Sequence, residues 1–208
     1  MTLAFRQYMK ENVPLYVFVS VLLVMGVVFG ALMVNALSLE QKQEMSHYLA
    51  SFFHMMDQSD PSQTGQSLWA AASAHLKWIA LIWLLGLSVV GLPIVLALDF
   101  LKGVLIGFTV GYLVGELSWK GMLFALVSVA PQNLLIIPAI IVASVSAVAF
   151  SHYLVRNRFM QRRGTFLHPF LSFGMTSLCM AIVLVGASLF ETFVSPILMK
   201  WVAPMLIA

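Results

Sequence analysis

Of 208 residues, 61% are hydrophobic and only 9% are Asp, Glu, Lys or Arg, which leaves too little polar surface to cover a soluble domain of this size. The chain reads as an all-α integral membrane protein, because charge-free runs of about 20 residues match a hydrocarbon core of about 30 Å and the alternating polarity of a barrel is absent. The formal net charge of +3 carries no nucleic-acid signature, so nucleic acid is not expected as a partner.

Arg6 and Lys10 precede a first apolar segment over about 14–37. It is longer than the apolar region of a cleavable signal, about 7 to 15 residues, and its VNALS end suits cleavage poorly, so it is expected to stay as the first span. Gly26 and Gly30 within it form a lone GxxxG pair for helix packing.

A polar loop, 38–77, follows. In it Met45, Tyr48, Leu49, Phe52, Phe53 and Met56 recur at steps of three and four, while Glu44, His47, Ser51, His54 and Gln58 take the other side. This pattern predicts an amphipathic helix, ended by SDPSQTG.

Spans two to five are expected at about 78–98, 103–117, 121–150 and 169–190. The third is short enough to be re-entrant and the fourth, at about 45 Å of helix, too long to stand upright. Gly103, Gly107, Gly111 and Gly115 recur at every fourth position, giving one helix side almost without side chains, suited to close packing or homodimerisation. Pro131 and Pro138 flank Gln132 and Asn133, which predicts a broken span. Bare amides in hydrocarbon cost several kcal/mol, so these two must face protein or water, as hydrogen bonds between helices or as a substrate or ion path.

The loop 151–168 carries Arg156, Arg158, Arg162 and Arg163 without an acid, and such loops stay in the cytoplasm. Arg6 and Lys10 place the amino terminus on the same side, so four crossings separate the two. Loop 38–77 and the carboxyl terminus are then external, and TFVSPILMKWVAPMLIA reads as an interfacial segment rather than a sixth span.

No grouping carries an evident catalytic chemistry, and no cofactor is expected. His47 and His54, with Glu44 and Asp57, could be arranged as metal ligands, but a solvated helix face accounts for them and no metal is expected. Ser188 has no histidine at membrane depth to activate it, and Cys179 reads as packing. Asp99, Lys102, Glu116, Lys120 and Glu191 read as groups at membrane edges, where long side chains reach water.

VMGVVFGALMVNALSLEQK with YLASFF, GLPIVLALDFLKGVLIGFTVGYLV and GMLFALVSVAPQNLLIIPA resemble the stage II sporulation protein M family of endospore-forming bacteria, over nearly the whole chain. The resemblance implies a multi-pass protein of the sporulation septum, needed for engulfment, that anchors two peptidoglycan-degrading partners, stage II sporulation proteins D and P, and has no catalytic residues of its own. In the wider superfamily the segment between the prolines often carries a His-Gly pair and an acid. Here Gln132, Asn133 and Ile136 stand there. The residues agree with a scaffold: an external loop of about 40 residues is below the size at which an enzymatic core usually stands alone. Its apolar side, Met45, Leu49, Phe52, Phe53 and Met56, is the expected partner surface, with membrane lipid and further copies of the chain as the other neighbours. The alternative is a small transporter or channel-like permease working through the broken span.

Overall fold

The computed structural model describes residues 12–57, 64–88, 90–155, 167–195 and 197–199. Among them the regular elements are all helical: α1 (Val13–Met33), prolonged by a 3-10 turn at Val34–Ala36, then α2 (Leu39–Asp57), α3 (Thr64–Gly86), α4 (Gly91–Ser128), α5 (Ala130–Leu154) and α6 (Leu167–Phe193). Five stretches are long and apolar enough to cross a membrane: Val13–Ala36, Leu68–Gly86, Gly91–Ser128, Ala130–Leu154 and Pro169–Met199. The all-α membrane class and its five spans are as the sequence led one to expect.

The break expected at about 98–103 falls elsewhere. The second span ends at Gly86, not near Leu98, because the chain turns at Leu87, Ser88 and Val90 and GLP opens α4. Pro93 sits in the first turn of that helix, where a missing N–H leaves nothing unpaired and the fixed φ favours helix. Asp99 and Lys102, read from sequence as a membrane edge, therefore lie inside a continuous helix. The next break is Ser118, at φ 51° and ψ −129°. There the chain doubles back: a side chain on Gly121 would strike the Leu113 carbonyl, and Leu113 packs against Phe124 and Ala125. The arm 91–117 reaches about 40 Å at 1.5 Å per residue, long enough to cross a hydrocarbon core of about 30 Å.

The returning arm, 119–128, runs into α5 through Val129. Hydrogen bonds carry the helix across, from Val129 N–H to Ala125 O at 2.8 Å and from Asn133 N–H to Val129 O at 3.3 Å. Pro131 has no N–H to offer in this ladder, which is why the long span breaks here.

Helix α5 occupies the centre of the bundle. Its Ala143, Ser144, Ser146 and Ala147 are buried and small, which lets α3, α4 and α6 close around it. Ile79, Ile82, Val95, Ile140, Phe173 and Leu184 fill the core so formed. By contrast Val17, Val21, Val24 and Val28 of α1 and Leu171, Leu178 and Ile182 of α6 face outward. In lipid such surfaces need no cover, since acyl chains are as apolar as leucine. One end of the bundle carries the Ser118 turn, the last turn of α6 and α2, which touches the bundle through Leu49. At the other end, Ser151 Oγ donates to Ser88 O at 3.1 Å and ties α5 to the 87–90 turn.

Candidate functional site

The break at 87–90 rather than at 98–103 moves a carboxylate from an edge to the interior. Asp99 is 0% exposed. Ser144 Oγ, on α5, donates to Asp99 Oδ1 at 2.7 Å. The second oxygen, Oδ2, is buried and has no hydrogen-bond partner among the described residues. Eight residues into α4, it lies about 12 Å from the start of the helix, near the middle of a 30 Å core. A carboxylate at that depth with one donor is costly, and such groups commonly mark function.

Other polar groups extend from it toward the α2 end. One turn along α4, the Lys102 ammonium lies over the Trp78 ring of α3, 5.5 Å from its centroid, and in the field of the Glu191 carboxylate on α6. Glu191 Oε2 is 3.0 Å from Nε2 of His75 on α3. Asp99, Lys102, Glu191 and His75 thus form a sequence of ionisable groups across three helices, with Ser144 of a fourth at its inner end. Glu191 also lies on the wall of a cavity of about 730 Å³, bounded by α2, the Ser118 hairpin and the end of α6. This size is within the range of small-ligand sites.

The sequence profile described as Stage II sporulation protein M matches residues 19–196, from α1 to beyond Glu191. The chain belongs to the stage II sporulation protein M family. No curated protein and no solved structure matches it. As a member of that family it is a sporulation-related, multi-pass membrane protein, and the match takes in the whole polar sequence from Asp99 to Glu191.

The glycine row of this family member is occupied within the chain. A side chain on Gly103 would strike Leu23 O, one on Gly107 the backbone of Val27, and one on Gly111 the Cα of Ala31 at 2.9 Å. From the other side, Gly26 meets the Phe100 carbonyl and Gly30 meets Val104 and Phe108. The row joins α4 to α1, so Gly103, Gly107 and Gly111 are not free for a second copy. Gly115 lies beyond the tight contact, with only Val34 Cγ1 at 3.9 Å.

The amides beside Pro131 bond locally. Asn133 Nδ2 donates to Val129 O at 2.8 Å, one turn back at the break, and Ser195 Oγ donates to Gln132 Oε1 at 3.5 Å. Gln132 therefore reaches the end of α6 and shares the cavity wall, whereas Asn133 is buried and closes its own helix. Pro138 lies within α5 on an exposed side.

On α2, Met45 and Leu49 turn toward the cavity of their own chain. Two of the five residues of the expected partner surface are thus used internally, and Tyr48, on the same cavity wall, remains 76% exposed. The side chains of Phe52, Phe53 and Met56, and Arg156, Arg158, Arg162 and Arg163, lie outside the described residues. His47 is exposed, and no three His, Cys, Asp or Glu gather among the described residues. Ser188 Oγ donates to Leu184 O at 2.9 Å. Cys179, expected as packing, instead lies exposed on the outer side of α6. Glu116 and Lys120 flank the Ser118 turn and are exposed, as expected of an edge.

Asp99 and its neighbours are the site that reading the sequence missed. The signal was GLP followed by an otherwise apolar run, which starts a helix early enough to bury the acid.

Proposed function

We propose that this chain is a non-enzymatic membrane scaffold of the sporulation septum, which recruits the peptidoglycan hydrolases stage II sporulation proteins D and P for septal wall thinning and engulfment. The amino terminus and the arginine loop are cytoplasmic in this reading, and α2 and the carboxyl terminus external. The observation that carries it is α2 itself, a helix at the bundle end held through Met45 and Leu49, with Leu39 presented outward at 81% exposure and Tyr48 exposed at the rim of the cavity. Exposed apolar groups on such an element mark interaction surfaces. Homo-oligomers of the scaffold would assemble through a surface other than the α1–α4 glycine contact.

Recovery of the hydrolases with the membrane protein tests this directly. Tyr48→Ser, and Phe52→Ser with Phe53→Ser, should lose co-recovery while leaving the amount of protein in the membrane near normal. Full co-recovery at normal levels from both would remove α2 as the recruiting surface.

One observation favours a second reading, a small transporter or channel: the buried Asp99, with polar groups leading from it to a cavity. Substrate-dependent flux in reconstituted vesicles would support that reading, and flux equal to empty vesicles would remove it.

A further inference from the structure

We propose that Asp99 is an intramembrane proton-binding site, loaded from the α2 end of the bundle by way of Glu191, His75 and Lys102. The proposal depends neither on hydrolase recruitment nor on net transport.

Asp99 accepts a hydrogen bond at one oxygen and holds the other, Oδ2, buried and without a partner among the described residues. A carboxylate so placed is relieved by a cation at Oδ2. A metal ion suits the site poorly. Calcium and magnesium take six or more oxygens, whereas among the described residues Asp99 has one oxygen partner, Ser144 Oγ, and the Lys102 ammonium lies one turn away. A proton needs no such shell, and every group along the approach can carry one. Glu191 lies on the cavity wall, its side chain 32% exposed; His75 is 3.0 Å from it; Lys102 lies in its field, one turn from Asp99.

The other end is closed. Between Asp99 and the 87–90 turn pack Val95, Ala147, Val148, Phe150 and Phe173, and the last two rings stack at 5.0 Å. A side chain on Gly86 would already meet Ala147 and Phe173 at 2.8 Å, so no path remains beside α3. Nor do the packed helices supply competing charges. Between Val13 and Met33, α1 has no Asp, Glu, Lys, Arg or His; α5 has none before His152, which is exposed near the closed end; α6 contributes Glu191 over 169–199. On α3 the remaining charge, Lys77, is exposed, as are Glu116 and Lys120 of α4.

In the loading step a new O–H bond forms at Oδ2 and the carboxylate becomes a neutral acid. One proton is taken from a hydronium ion at the cavity wall and handed on by way of Glu191, His75 and Lys102, so that a hydronium O–H bond breaks, water is left and the relay groups end as they began.

Infrared difference spectroscopy of the full-length chain in sealed vesicles of single orientation tests the assignment. With pH stepped on the α2 side, a carboxylic-acid C=O band should grow as that side is acidified. Asp99→Asn should abolish it; Ser144→Ala, which removes the donor, should move it to higher frequency; and Glu116→Gln should leave it unchanged. The absence of any titrating band that Asp99→Asn removes or Ser144→Ala moves would overturn the proposal. So would a band that follows the pH of the opposite side.

Discussion

Gly26 and Gly103 meet backbone to backbone: a Cβ placed on Gly26 would stand 3.2 Å from the Gly103 Cα and would overlap the Phe100 carbonyl. With Gly30 against Val104 and Phe108 and Gly107 against Val27, α1 and α4 lie backbone to backbone and gain dispersion along the contact.

Gly107→Leu should therefore lower stability by about 1–3 kcal/mol, the range for forcing carbon into a filled contact, because the Val27 backbone cannot yield as a side chain would. Gly115→Leu, facing only Val34 Cγ1 at 3.9 Å, should be near neutral. Unfolding titrations in sodium dodecyl sulfate compare the two, and equal effects would show that the tight contact does not decide the packing.

Ser118 is the one non-glycine residue with positive φ among those described. Such a conformation costs roughly 1–3 kcal/mol in a residue with a Cβ. Ser118→Gly should raise stability by about 1 kcal/mol, and Ser118→Val should lower it by at least as much, in the same titration. If Gly destabilises, the hairpin does not have this backbone geometry.

For orientation, single cysteines at Ser59 and Asn157, introduced with Cys179→Ser, should react with an impermeant thiol reagent from opposite sides of the membrane. Labelling of both from one side would contradict an even number of crossings between the amino terminus and the arginine loop.

His75 and Glu191 hold α3 to α6 at 3.0 Å, with side-chain exposures of 12% and 32%. A double-mutant cycle with His75→Ala and Glu191→Gln should return a coupling of about 1 kcal/mol, below that of a fully buried charged hydrogen bond because Glu191 is partly solvated. Zero coupling would mean that the pair does not form.

Several of these features are legible in the sequence. The four-residue glycine spacing announces a close helix contact, the apolar steps from Met45 to Met56 announce α2, and Pro131 announces the break in the long span. What the spacing cannot give is the other half of each contact: whether Gly107 meets a second copy or Val27 depends on how α1 and α4 are brought together. Asp99 and Lys102 misled for a related reason. A charge in an apolar run reads as an edge unless something receives it, and its receiver, Ser144, is an unremarked serine in a run of small residues. The spans expected at 103–117 and 121–150 already part around Ser118; what the sequence does not show is its positive φ, because Ser118 itself is neither Gly nor Asn. The chain reverses there because both arms are apolar and bury each other through Leu113 and Phe124.

The 45 residues that separate Asp99 from Ser144 also impose an order on synthesis. When α4 emerges, its carboxylate and its lysine have no hydroxyl and no α6 carboxylate to meet, and each would cost about 2.5–3.5 kcal/mol at the centre of a helix inserting alone. By then α1 is already in the membrane, and its glycines offer α4 a berth of matching shape. Held there, α4 can wait for α5 to close over Asp99. Deleting α1 should therefore do more than loosen the finished bundle: nascent α4 would tend to slip back into the aqueous channel of the insertion machinery, and α5 and α6 would insert in the wrong sense.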